Sequence, residues 1–158
     1  MQNKDAGGIK NISADMPLYP IRVAAKLLGI SIPLLRLYEI EGFVLPYKKE
    51  SKQRLYSQLD IDRLACVRKA ITERKIGIAG VKMAFAMIPC WKIKGCSKAD
   101  REKCEAYTSS EKPCWSYKHF DNVCETSPCS ECPVYRDFTD CNHVKSAIIE
   151  HTNNNGKM

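Results

Sequence analysis

Nine cysteines stand in this chain of 158 residues, and eight of them fall between Cys90 and Cys141. Their order is Cys90, Cys96, Cys104, Cys114, Cys124, Cys129, Cys132 and Cys141, and only Cys129-Ser130-Glu131-Cys132 forms a close CxxC pair. Four thiolates can hold one zinc ion tetrahedrally or one iron–sulfur cluster. Thiols can also pair as disulfides or act as a redox switch. Zinc ribbons and knuckles usually carry two close CxxC pairs. Scattered single cysteines suit a cluster gathered from distant ligands better, and Cys132-Pro133 has the form that ends many cluster-binding runs. The expected ligands are Cys90, Cys96, Cys104, Cys114, Cys124, Cys129 and Cys132. The expected cofactor is an iron–sulfur cluster, with zinc as the alternative.

Two imperfect repeats run through this half. One opens Pro89-Cys90-Trp91 and closes Cys104-Glu105-Ala106-Tyr107. The other opens Pro113-Cys114-Trp115 and closes Cys132-Pro133-Val134-Tyr135. The aromatic residues either shield a metal site from water or serve as the large core residues of a small fold. This half is poor in Leu, Ile and Val, so metal ligation coupled to folding would offset a thin core. His119, His143 and His151 are further candidate ligands, although a lone histidine is more often a surface residue. There is no Gly-rich phosphate loop, nucleophile elbow or acid–base constellation, and the chain is expected not to be an enzyme.

The elements that must carry these residues begin upstream. Val23, Ala24, Leu27 and Leu28 recur at helical spacing and predict an apolar helix face. Gly29 is a C-cap, Ser31 an N-cap, and Pro33 falls in the first turn of a second helix that ends at Gly42. Leu34, Leu35, Leu37 and Tyr38 give that helix its apolar and aromatic surface. A basic hairpin follows, with Lys48, Lys49, Lys52 and Arg54 close together. Helical patterns return over 58–74, with Ile61, Leu64, Val67 and Ile71 on one face, and over 78–88. Cys66 points away from that face and reads as an inert surface cysteine. A last short helix is expected over 140–151, covering the cysteine module or pairing with its copy.

Charge divides the chain in the same place. Residues 1–88 hold 15 Lys or Arg and 8 Asp or Glu, and residues 89–158 hold 10 of each. The first half therefore carries the whole formal charge of +7, which suits a polyanionic partner.

Residues 19–88 resemble the DNA-binding half of the MerR family of bacterial transcription regulators. The resemblance rests on Tyr19-Pro20-Ile21, Leu28-Gly29-Ile30-Ser31, Leu35-Arg36-Leu37-Tyr38-Glu39, Glu41-Gly42-Phe43-Val44-Leu45-Pro46 and Arg54-Leu55-Tyr56-Ser57. It implies that Arg36 and Tyr38 contact DNA from the recognition helix and that Arg54 and Tyr56 touch phosphates from the wing. Lys48, Lys49 and Lys52 add cations to the same face. It further implies double-stranded DNA and RNA polymerase at a promoter as partners, and a cytoplasmic location where structural disulfides are disfavoured. A homodimer is an open expectation, because the family's long dimerisation helix has no counterpart after Ile88. The polar N-terminus lacks a secretory h-region, and no run of about 18 apolar residues predicts a membrane span.

The expected fold class is mainly α. A MerR-like winged helix-turn-helix over 18–88 precedes a small irregular module over 89–151, metal- or cluster-stabilised, with disordered ends at 1–17 and 152–158. The expected function is a DNA-binding regulator whose cysteine module senses metal or redox state. The alternatives are a redox or electron-transfer component and a zinc-stabilised DNA-binding adaptor that docks another protein.

Overall fold

Gly29 sets where the first helix stops. In this computed structural model, which describes residues 12–153, Gly29 takes a left-handed φ of 61° and its N–H closes α1 (Ile21–Leu28) on the Ala25 and Lys26 carbonyls. Ser31 then accepts a hydrogen bond from the Leu34 N–H at 3.3 Å and starts α2 (Ile32–Ile40), with Pro33 in its first turn. The apolar face expected for α1 is corrected. Val23 and Leu27 are exposed, and the small Ala24 and Ala25 are buried where the neighbouring helices pack closely.

Three short antiparallel strands form one sheet in the order β1-β3-β2. They are β1 (Tyr19–Pro20), β2 (Tyr47–Lys48) and β3 (Arg54–Tyr56), with Tyr19 opposite Tyr56 and Lys48 opposite Arg54. The last two are the expected wing. The first was not anticipated, because two residues give no periodicity and one of them is proline, which sheets admit only at an edge. Ser57 and Asp60 form a capping box that opens α3 (Gln58–Thr72), and α4 (Ile78–Ala86) follows. Arg68 of α3 donates to the Leu28 and Gly29 carbonyls at 2.5 and 2.6 Å, so α3 satisfies the end of α1.

The cysteine half is built of short turns. They are α5 (Cys90–Ile93), α6 (Lys98–Glu102), α7 (Glu105–Thr108), two 3-10 turns at Cys114–Ser116 and Cys129–Glu131, and α8 (Pro133–Asp137). The closing helix α9 (Cys141–Asn153) packs on α3 and α4 rather than covering the cysteines, and Val144 and Ala147 are buried there. Ile149 of the same helix is exposed.

One apolar core runs across the boundary between the halves. Leu35, Phe43, Leu64, Val67, Phe85 and Ile88 from the first half join Trp115, Val134, Tyr135 and Phe138 from the second. The chain before β1 joins as well. Leu59 N–H donates to the Ala14 carbonyl at 3.1 Å, and Arg136 pairs with Asp15 at 2.8 Å. Disorder was expected over 1–17 and 152–158; residues 1–11 and 154–158 lie outside the described residues, while Ala14 and Asp15 bond to the fold and the last helix runs to Asn153. Cys66 is half-buried and disulfide-bonded, which corrects its reading as a surface cysteine and runs against the expectation that disulfides are disfavoured. No helix among the described residues is long and apolar enough to cross a membrane.

Candidate functional site

The exposed side of α2 and the adjoining wing make the cationic face. Arg36 is exposed on α2, and Lys48, Lys49 and Lys52 are exposed on the wing, with Lys52 at a left-handed φ of 63° in its turn. Glu39 fixes the wing against α2. Its carboxylate accepts two hydrogen bonds from Arg54 Nε and one from the Tyr56 hydroxyl at 3.3 Å, and Lys48 Nζ lies 3.9 Å away. Two expected DNA contacts are corrected here. Tyr38 is 3 % exposed and packs edge-on against Phe43, and Tyr56 is fully buried with its hydroxyl on Glu39. Both phenols belong to the core and its ion-pair network rather than to an open face. Arg54 is partly exposed, but its Nε is taken by Glu39.

All seven candidate cysteines line a single cavity of about 30 Å³. Each of them is half-buried and none is disulfide-bonded. The two sequence repeats supply its walls in the same way. Trp91 meets Tyr107 edge-on at 5.3 Å and 84°, and Trp115 meets Tyr135 edge-on at 5.3 Å and 85°. The Cys90 and Cys114 side chains are hydrogen-bonded to each other. This bond lowers the Cys90 pKa and, with burial, raises that of Cys114. Burial pushes Cys124 up to about 12, and raises Cys129 and Cys96 as well. Cys104 Sγ stands 3.9 Å from His119 Nδ1, which brings one of the three histidines to the cavity. Raised thiols favour protonation until a cation compensates for the burial, and a soft thiophilic metal is the chemistry this donor set matches. Ligands of a single zinc ion lie about 2.3 Å from the metal, and no three Cys, His, Asp or Glu side chains among the described residues already form such a cage.

Residues 19–88 match the family described as MerR HTH family regulatory protein. This segment is a MerR-family helix-turn-helix domain. The chain is 37 % identical over 71 residues to HspR, a heat shock protein by its name, of Streptomyces coelicolor, across 45 % of this chain and 47 % of that protein. It is 31 % identical over 71 residues to GlnR, named an HTH-type transcriptional regulator, of Bacillus anthracis, across 45 % and 54 % of the two chains. GlnR of Bacillus cereus is similar to the same extent. The chain thus spans about half the length of these curated relatives.

The MerR-type domain and the cavity are joined through the cavity's aromatic wall. Trp115 Nε1–H donates to the Gly42 carbonyl at 2.7 Å, at the turn between α2 and the wing. Gly42 has a φ of 80°, which favours glycine, and a Cβ there would run into the Ser116 side chain. The Tyr135 hydroxyl donates to Asp60 Oδ1 at 2.6 Å and accepts from the Leu45 N–H at 2.8 Å. Arg63 of α3 is fully buried, stacks 3.8 Å from the Tyr135 ring centroid and donates to the carbonyls of Tyr135 and Phe138. Glu39, Arg63 and the carbonyl of Gly42 were not singled out from sequence. Arg63 left one signal: it lies on the same helical stripe as Asp60, Leu64 and Val67.

Proposed function

We propose that this chain is a DNA-binding transcription regulator of MerR type and not an enzyme. Its winged helix-turn-helix grips double-stranded DNA through Arg36, Lys48, Lys49 and Lys52, and it acts in the cytoplasm. RNA polymerase at a promoter and a second copy of the chain are the partners this reading implies. The thiol-lined cavity holds an iron–sulfur cluster, with zinc as the alternative, and reports metal or redox state to the DNA-binding face. The family match over residues 19–88 and the regulator name of GlnR support the first statement. The observation that carries the second is the bond from Trp115 to the Gly42 carbonyl. Trp115 follows Cys114 directly, and Gly42 ends the recognition helix.

A switch requires that a filled and an empty site differ in free energy between two arrangements of the chain, and ligation at Cys114 would bear directly on its neighbour Trp115. When bound, the metal centre supplies charge compensation and cross-linking to the thiolates. The contacts that link the cavity wall to the DNA-binding half are the chain's own: Trp115 to Gly42, and Tyr135 to Leu45 and Asp60.

The test is anaerobic purification with iron, sulfide and zinc analysis, followed by DNA titration of the loaded and stripped protein. Absorbance near ~400 nm with iron and sulfide is expected for a cluster, together with a change in DNA affinity on stripping. Failure to bind any duplex at low salt would overturn the regulator reading. Absence of bound metal after reconstitution would overturn the cofactor reading.

A further inference from the structure

Seven thiols exceed what one metal centre uses, and the fold sorts them into two groups. Resting on the proposed metal-binding reading, we propose that Cys90, Cys114, Cys129 and Cys132 are the four thiolates of one centre, and that Cys96, Cys104 and Cys124 stand outside its coordination shell.

The first line of argument is backbone order. Each of the four stands next to a proline: Pro89-Cys90, Pro113-Cys114, Pro128-Cys129 and Cys132-Pro133. These are all the prolines that follow Pro46, and none of the other three cysteines has one beside it. The prolines before Cys90, Cys114 and Cys129 hold φ at −74°, −57° and −58°. A proline removes backbone freedom from the unfolded chain, so the thiol it flanks costs less to hold in place. Cys90, Cys114 and Cys129 each open a short helical turn, and Cys132 precedes α8.

The second is placement. Cys90, Cys114, Cys129 and Cys132 pack against the apolar core shared by the two halves, and Cys96, Cys104 and Cys124 do not. Cys90 and Cys114 are hydrogen-bonded to each other. By the sequence repeat, Cys104 would be the counterpart of Cys132. In the structure it lies beside His119 instead. A four-thiolate centre at the core side also accounts for the aromatic wall, since Trp115 follows one of these ligands and Tyr135 lies three residues after another.

The experiment uses the full chain, reconstituted anaerobically with iron and sulfide in one arm and with zinc in the other. Each cysteine's alkylation rate is read by peptide mass spectrometry before and after chelation. Chelation is expected to raise the rate at Cys90, Cys114, Cys129 and Cys132 by roughly tenfold or more, and at Cys96, Cys104 and Cys124 by less than about twofold, since metal-bound thiolates are protected. Alanine variants of all seven, checked for fold by circular dichroism, should lose bound metal only at the four. Uptake in the iron arm identifies a cluster and in the zinc arm an ion, and either supports the assignment. Protection of Cys96, Cys104 or Cys124 equal to that of the four would overturn the ligand set while leaving the metal reading intact. A chain that binds neither metal would overturn both.

Discussion

Arg54 Nε lies 2.8 and 2.7 Å from the two carboxylate oxygens of Glu39, so a cation of the wing is bound to the recognition helix. Glu39→Gln keeps the shape and removes the charge. The expected result is a stability loss of about 1 kcal/mol in urea denaturation, given the partial exposure of Arg54. DNA affinity should fall as well, because the wing loses its fixed position. Tighter DNA binding with unchanged stability would show that the pair merely restrains a phosphate-binding arginine.

The exposed cations should behave differently. Arg36→Ala and Lys49→Ala each remove one charge from the open face without touching the core. Affinity should fall for every duplex tested, and the slope of log affinity against log salt should drop by about 1 per variant. Fluorescence anisotropy across a salt series measures both. An unaltered slope would remove the residue from the phosphate-contacting set.

Arg63 is the buried tie between the halves. It pairs with Asp60 at 3.7 Å and donates to two carbonyls of the cysteine half. Arg63→Ala leaves these groups buried without their donor, and a loss of about 3–5 kcal/mol is expected. Arg63→Met should lose less, because its chain still fills the space beside the Tyr135 ring. Equal urea midpoints for both variants would mean that the hydrogen bonds dominate and the packing contributes little.

Two buried phenols set an alkaline limit. Burial raises the Tyr56 and Tyr135 pKa values above their ordinary range. The folded state favours the protonated phenols, so their contribution is whole below about pH 10, the unfolded value, and is lost as pH rises beyond it. Stability should therefore fall above about pH 10. Tyr135→Phe should flatten that fall and lower stability at neutral pH by about 1–3 kcal/mol, since Asp60 and the Leu45 N–H lose a partner. Urea unfolding at neutral and alkaline pH compares the two proteins; parallel curves would remove Tyr135 from the titration.

The helix-turn-helix was readable because its signals are local. Gly29, Ser31, Pro33 and Gly42 each declare a cap or a turn within a few residues, and the structure has all four in those roles. The gathering of seven cysteines followed from composition, since scattered thiols have few other uses. What could not be read depended on contacts between distant segments. Tyr38 and Tyr56 look the same in sequence whether they face a phosphate or the core. That choice is made by Phe43 for the first and by Glu39 for the second. The docking of α9 on α3 and α4 was equally hidden, because its apolar stripe does not say which neighbour will cover it.

The shared core has a consequence for how such a protein can evolve. Phe85 touches Trp115, and Ile88 is buried at the very point where the family match ends. A gene cut at that seam would release a DNA reader with an oily wound, prone to aggregate rather than to work alone. The cysteine half is therefore a lid on the first half's apolar side as well as a carrier of thiols.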